Sequence, residues 1–542
     1  MEKFFNTAGP IQEDIHYSLN PLRRINYTEI ASLIEQRKYF TLHAPRQTGK
    51  TTALLSILKA VDGEGRYRCV YFSVESAQTA RGNVASGIRT IMSEFVSAAE
   101  RFLPVAPPAG RVSALLNEVG EHAALGKLIE DFCLDLDKPL VLLIDEIDSL
   151  VGDTLVSVLC QLRKSYEKRP SRAPLSVLLC GVRDVRDCYI YEETGEVVTG
   201  ERCFNIRSES LRLPDFSPGE IQELYELHTN ATGQIFRESI YEKIWDLTRG
   251  QPWLVNALAH QATWKLPEGR DRGRPVTPPM IEEAAALLTA ERGVHLDWLV
   301  NSFNEPRVSR VLSPILAGKN WSAMEEKPLP EDLRYVTDLG LVRNEDGNYV
   351  VANGIYREVL PRELSYLMEA GLTSSPTRDW YVQTDGRLDM DQALQVFQRI
   401  CQEQLEGWKK GCAYRDAVFH LLMQAFLQRI LNGGGLLDRH YGLGLGRVDL
   451  LIRWRYPKSA LPDQQQEQRI VLELKTIRQN NPDPKQVFSE GLMQTARCAS
   501  RASAGEAHLI VCDERPGWGW AEKIYDRVEQ SSDGRDIHIW GV

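Results

Sequence analysis

The sequence predicts a multidomain α/β protein, and three observations carry that prediction. The chain has 542 residues, several times the usual domain length, which allows about 3 to 4 domains. From Lys38 onward, short apolar runs alternate with longer helical stretches, as a parallel sheet with crossover helices requires. The runs are apolar at consecutive positions, the pattern of strands covered on both faces. They are Tyr39-Phe40-Thr41-Leu42, Cys69 to Val74, Leu140 to Ile144 and Ser176 to Cys180.

Beyond Arg212 the pattern turns helical, opening at Pro218-Gly219-Glu220-Ile221 and continuing past Gly250-Gln251-Pro252 to Asn256. A polar stretch, Pro267 to Pro279, precedes another helical segment. Between 305 and 365, Leu333, Val336, Leu339 and Leu341 have helical spacing, and Asn348 to Val351 forms a short strand. That order is winged-helix-like, with an ordinary helical lid as the alternative. Thr373 to Thr377 is small, polar and broken by proline, as a linker would be. Gln464-Gln465-Gln466 is expected in a polar loop between two strands. The expected domains are 1–215, a helical lid at 216–300, a winged-helix-like domain at 301–371, and a C-terminal α/β domain at 380–542.

Composition narrows the class. With 43% apolar and 25% charged residues, the chain reads as soluble and globular, and no run approaches the ~18 apolar residues of a membrane span. The first residues lack the features of a secretory signal, so a cytoplasmic location is expected. Ten cysteines without a Cys-x-x-Cys pair argue for reduced thiols rather than a zinc knuckle. The formal charge, 64 basic minus 74 acidic giving -10, disfavours nonspecific coating of nucleic acid. Any polynucleotide must meet a local basic surface.

Two motifs carry chemistry. A phosphate-binding loop needs inward backbone N–H groups, a lysine for the β and γ phosphates, and a hydroxyl for Mg2+. Gly49, Lys50 and Thr51 supply these after a strand, and the following helix adds its positive end. Ala44, Arg46, Gln47, Thr48 and Thr52 complete the loop, with Ala44 where glycine is usual. Leu140 to Glu146 supplies the second element: Asp145 to hold Mg2+ and Glu146 to orient the attacking water. The alternative for that segment alone is a buried strand ending in a solvated acidic turn.

These residues resemble the AAA-like ATPases of the broader AAA+ group, over about residues 20 to 365. The resemblance implies ATP as cofactor and extends to Cys180 to Arg186, similar to a sensor 1 strand, and to Asn353 to Glu358. It also implies a Gly-x-Pro turn near the adenine, here Gly250-Gln251-Pro252, which makes Pro252 a nucleotide contact. Arg183, Arg186, Arg202 and Arg207 are arginine-finger candidates.

Near the other end, Arg447 to Trp454 and Arg469 to Thr476 both read as strands. If Trp454 pairs with Arg469, Asp449 falls opposite Leu474, and a one-residue bulge brings it beside Glu473 and Lys475. Asp449, Glu473 and the Leu474 carbonyl could then share Mg2+, with Mn2+ as an alternative, while Lys475 positions water or offsets charge. An exposed hairpin with an acid–lysine pair is the bland alternative.

The segment resembles the PD-(D/E)XK nuclease superfamily over about residues 380 to 542. That implies a restriction-endonuclease-like α/β fold and a first-helix metal ligand at Asp416, which His420 and Gln424 follow at four-residue spacing. A solvated stripe explains His420 and Gln424 equally well. Gln494 resembles the family's Gln-x-x-x-Tyr element, with Cys498 replacing tyrosine and Val448 replacing the usual proline. Arg439, Arg447 and Arg453 are candidate phosphate contacts.

Together the two motifs predict an ATPase controlling a Mg2+-dependent nuclease, of the kind the resemblance associates with prokaryotic defence or mobile elements. The alternative is a nucleotide-switched protein that binds or remodels nucleic acid without cutting it. The expected partners are nucleic acid, DNA favoured over RNA, and a further copy of the chain or a trigger protein, with no membrane.

Overall fold

In the computed structural model, the described residues are 2–108, 110–183, 189–191, 197–199, 207–290, 298, 302, 305–316, 327–360, 381–411, 418–431, 435–443, 446–458, 461–477, 484–515, 519–531 and 534–542. Asp416, the linker at Thr373 to Thr377, Arg186 and Arg202 lie outside them, as do the side chains of Arg207, Arg439 and Arg447. The chain divides into two units. The first is 1–297 with 333–343 and 352–355; the second is 298–332, 344–351 and 356–542.

The first unit is built on β1 (Tyr39–His43), β2 (Arg68–Ser73), β3 (Leu140–Asp145) and β4 (Ser176–Gly181). A small antiparallel pair follows, β5 (Tyr189–Tyr191) with β6 (Val197–Thr199), and then β7 (Arg207–Arg212). The main sheet has the order β2-β3-β4-β1-β7 with every pairing parallel. Both of its faces are covered, as the apolar runs predict. Leu140, Leu142 and Ile144 pack on one side with helices Val84–Phe102 and Glu121–Asp135, while Val141 and Leu143 pack on the other with helix Lys50–Gly63. Each such side chain contributes about 1.5–3 kcal/mol of burial. The strand β7 was not anticipated, because Arg-Ser-Glu-Ser-Leu-Arg has no apolar run. It is an edge strand, and Ser210 satisfies Thr41 by a 3.1 Å side-chain hydrogen bond.

Helix Pro218–Thr232 begins with a complete capping box, Ser217 with Glu220, and proline at its first position. Helices Ile240–Thr248, Pro252–His260 and Pro278–Ala290 follow. The N-terminal arm packs on these helices, with Phe5 and Tyr17 against His228. Helix Pro306–Leu316, helix Pro330–Asp338 and the hairpin of β8 (Val342–Glu345) with β9 (Asn348–Val351) come next.

The second unit holds a mixed sheet: β10 (Gly435–Leu443), β11 (Gly446–Lys458), β12 (Leu461–Ile477), β13 (Glu506–Asp513), β14 (Tyr525–Gln530) and β15 (Asp536–Gly541), in the order β10-β11-β12-β13-β15-β14. The β12–β13 and β13–β15 pairings are parallel and the others antiparallel. Helices Met390–Gly411 and Val418–Leu431 cover one face through Phe397, Phe419 and Phe426. Helix Pro484–Ala502 covers the other with small residues, Cys498, Ala499 and Ala502, that let it lie close to Leu451 and Val471. The glutamines at 464–466 lie inside β12 rather than in a loop, Gln465 opposite Pro457 and Gln466 opposite Tyr456. Strand pairing with β11 overrides their polarity there.

Among the described residues, seven cysteines are free, and no helix is long and apolar enough to cross a membrane.

Candidate functional site

The loop between β1 and helix Lys50–Gly63 wraps through two left-handed positions, Gln47 at φ 59 and Gly49 at φ 89. Only glycine adopts the second without strain, and it forms the helix N-cap. Ala44 replaces glycine at no conformational cost: it avoids the left-handed region, and its N–H extends the β1–β4 ladder to Gly181 O at 3.2 Å. Lys50 is 5% exposed, and its Nζ donates to the carbonyls of Ala44 and Pro45 at 3.1 and 3.2 Å. Thr48 Oγ1 donates to Pro45 O, bracing the same turn. Arg46 is exposed, and the Thr52 hydroxyl accepts from Ile11 N in the N-terminal arm.

Asp145, 1% exposed at the end of β3, is the hub of the site. Its Oδ2 accepts from Thr51 Oγ1 at 2.8 Å and from the Tyr71 hydroxyl at 3.1 Å, and its Oδ1 accepts from Glu146 N at 2.9 Å. Glu146 sits at φ 56, which turns its carboxylate out of the strand. Burial pushes its carboxyl up, Lys50 opposes that, and Asp145 and Asp148 add to it. A carboxylate on a threonine hydroxyl at the head of this helix is a donor set that fits Mg2+.

Glycine at 250 permits a close approach: a Cβ there would meet Phe216 O at 1.9 Å. The next residue, Gln251, caps helix Pro252–His260 by accepting from Leu254 N and donates to Arg46 O and Gln47 O, both at 3.4 Å. This joins the helical segment to the phosphate loop. A cleft of about 290 Å3 runs between them, lined by Gly49, Lys50, Glu146, Phe216, Pro252 and Asn256 among others.

Sequence reasoning missed Arg24, which also lines this cleft. It donates to Thr48 O at 3.2 Å and to Pro214 O, and its guanidinium lies 4.6 Å over the Phe216 ring. Tyr71 was missed too. Neither carries a motif, since each acts through tertiary contacts. Of the finger candidates, Arg183 stacks 4.8 Å over Tyr335.

In the second unit, the register differs from expectation by one residue. Trp454 pairs with Gln468, and the ladder ends at Leu450 opposite Leu472; one step beyond it, that register sets Asp449 across from Glu473 without a bulge. Asp449 Oδ2 accepts from Leu474 N at 2.9 Å. Lys475 Nζ bridges Glu473 Oε1 and Gln494 Oε1, each at 2.9 Å. Helix Pro484–Ala502 comes close here because residue 491 is glycine; a Cβ there would meet Leu509 at 3.0 Å and Lys475 at 3.3 Å.

Glu473 is fully buried, and its Oε2 has no hydrogen-bond partner. Burial first, then the Asp449 charge, pushes its carboxyl up to about 8 against the pull of Lys475. An orphaned carboxylate oxygen beside a second carboxylate is a fit for a divalent cation. Cys498 faces the same pair, and burial followed by those two charges raises its thiol to about 11. Gln424 is buried with Oε1 unpartnered, and His420 is half-buried with its ring against Phe419.

The parallel sheet, the loop after β1 and the acidic end of β3 place the first unit among the P-loop ATPases. More narrowly, the chain belongs to the AAA-like domain family, whose sequence model matches residues 22–361. Several solved structures are similar to this chain at low identity. The Walker-type ATPase of Pyrococcus abyssi is 14% identical, with TM-score 0.47, over 66% of this chain and 99% of that one. The Aeropyrum pernix ORC2 protein is 16% identical, with TM-score 0.38, over 65% and 95%. Thermotoga maritima RuvB, a Holliday junction branch migration motor, is 13% identical, with TM-score 0.33, over 63% and 93%. Comparison with curated proteins finds no match.

Proposed function

We propose that ATP binding and hydrolysis in the AAA-like unit control Mg2+-dependent cleavage of nucleic acid, DNA in preference to RNA, by the C-terminal unit. The observation that supports this reading best is the buried Glu473 carboxylate, one oxygen unpartnered, beside Asp449 and Lys475. Burying a carboxylate beside a second, half-buried one is costly unless cations compensate them, and Lys475 supplies only one charge. Asp449, Glu473 and the Leu474 carbonyl would hold Mg2+ or Mn2+, and Asp416 is the proposed further ligand. The ion supplies Lewis-acid stabilisation of phosphorane charge when bound. Lys475, steadied by Gln494, orients the attacking water or offsets the developing charge; His420 is an accessory candidate.

In the ATPase half, Lys50 and the loop N–H groups bind the phosphates, Thr51 and Asp145 hold the metal, and Glu146 orients the attacking water. Pro252 lies at the base-binding side. The proposed division is an ATPase core to residue 215, a lid at 216–300, a winged-helix-like domain at 301–371 and a nuclease-like domain at 380–542. This layout suits a defence or mobile-element effector that a trigger protein or self-assembly activates.

The test is Mg2+-dependent cleavage of labelled DNA and RNA by wild type and Lys475→Ala. Loss of cutting in the variant is expected; equal cutting by both would remove the assignment. A second reading, binding or remodelling without cutting, is favoured by one observation: Lys475 Nζ already donates to Glu473 Oε1 at 2.9 Å, a cation that answers the carboxylate in place of a metal ion. It predicts retention of nucleic acid with no product in either Mg2+ or Mn2+.

A further inference from the structure

The C-terminal sheet carries a second group of ligand-type side chains, on the face opposite Asp449 and Glu473. Residues paired in parallel strands share a face. Leu472 pairs with His508 and Glu473 with Leu509, so His508 lies on the Leu472 face. His538 is the partner of His508 on β15. Asp391, in the first turn of helix Met390–Gly411, meets both: its Oδ1 is 3.0 Å from His538 Nδ1 and 3.9 Å from His508 Nδ1. The three ligand atoms all lie within 4.8 Å of one another.

Neighbouring hydrogen bonds set the tautomer of His508. The Trp540 indole can only donate, and it donates to His508 Nδ1 at 3.1 Å, so that nitrogen carries a lone pair. The proton is then on Nε2, facing Glu506 Oε1 at 3.0 Å. Gln468 Nε2 holds the other Glu506 oxygen at 3.1 Å. A neutral imidazole whose far N–H is held by a carboxylate is the arrangement that orients metal-bound histidine.

We propose that Asp391, His508 and His538 bind one divalent ion of the zinc class, which clasps helix Met390–Gly411 to β13 and β15. His538 Nδ1 donates to Asp391 Oδ1 at 3.0 Å, so ion binding releases that proton; this 3.0 Å and the 3.9 Å to His508 lie on either side of the edge of about 3.3 Å in a tetrahedron with zinc–nitrogen bond lengths. Two imidazoles select zinc over magnesium, which takes oxygen ligands. His508 is fully buried, whereas the Asp391 and His538 side chains are 46% and 32% exposed. The ion therefore enters from solvent, and water fills the fourth position. His508 offers Nδ1 only by releasing the Trp540 N–H, so the indole reports occupancy. The proposal stands apart from the nuclease reading, since it uses other residues on the other face.

The experiment is Zn2+ titration of the full chain by calorimetry and tryptophan fluorescence, in an Asp449→Asn/Glu473→Gln background that removes any ion held on the opposite face. One bound Zn2+ with a fluorescence change is expected. Asp391→Ala and His538→Ala should each weaken binding at least about tenfold, with circular dichroism checking the fold. Trp540→Phe removes the competing donor and should tighten binding by about fivefold. Visible Co2+ bands in the parent protein give a readout that needs no variant at the site. Unchanged Zn2+ affinity in the Asp391 and His538 variants, or no Co2+ bands and no fluorescence change in the parent, would overturn the proposal.

Discussion

Replacing Lys475 by methionine removes a cation while keeping most of its stem, and the cost depends on pH. Lys475 makes two hydrogen bonds, to Glu473 and Gln494, worth about 0.5–1.5 kcal/mol each. Below pH 8 the Glu473 carboxyl, pushed up to about 8 from its ordinary 4.5, carries a proton. The variant then loses only those bonds, about 1–3 kcal/mol. Above pH 8 the wild type ionises Glu473 against Lys475, whereas the variant, whose carboxyl is pushed up further without that cation, keeps its proton, so the gap widens by about 1.4 kcal/mol for each pH unit above 8. The sign follows from linkage: a carboxyl raised on folding stabilises fully below 4.5, and that contribution is lost as pH rises through 8. Urea denaturation of wild type and Lys475→Met in EDTA at pH 6 and pH 9 measures both gaps. Equal gaps at the two values would refute the charge balance drawn for this site.

Glu146→Gln should retain ATP affinity while phosphate release falls by about 10²–10⁴-fold, measured by filter binding beside a turnover assay. Gly250→Ala places a Cβ 1.9 Å from Phe216 O at φ 80 and should cost at least about 2 kcal/mol. The same variant should weaken ATP binding through the Gln251 contacts to the loop, and thermal unfolding with and without ATP reads both effects. Asp332 is buried; burial raises its carboxyl, but bonds from Arg307 and Arg310 at 2.9 and 2.7 Å outweigh that and hold it below 3.8. Its stabilisation is therefore present above 3.8 and lost as pH falls, so Asp332→Asn should flatten the acid limb of a stability–pH curve below about pH 4.

The four central strands of the ATPase sheet were legible because burial on both faces leaves an uninterrupted apolar run. The edge strand β7 was not, because its residues are mostly polar and one of them, Ser210, is engaged laterally by the Thr41 hydroxyl. Lys50, Thr51, Asp145 and Glu146 could be read because phosphate chemistry fixes residue type and spacing locally. Arg24 and Tyr71 reach the same site through contacts that cross 24 and 74 positions of sequence, which no local pattern records. Near Asp449 the hydrophobic alternation identified both strands, yet it left their offset open by one position. The ladder, which ends at Leu450 opposite Leu472, fixes that offset, and its extension sets Glu473 across from Asp449.

In β12 successive residues serve different layers: Leu472 and Leu474 enter the oily side, while Glu473 and Lys475 meet the acidic pair and the Gly491 helix. Such a segment tolerates conservative replacement far better than a change in length. Deleting one codon between Ile470 and Glu473 would turn a carboxylate into hydrocarbon and a leucine into the ionic pocket at once. Length polymorphism in this protein should therefore collect at the ends of the hairpin and spare its middle, and a scan of single-codon deletions through 468–476 would map that boundary.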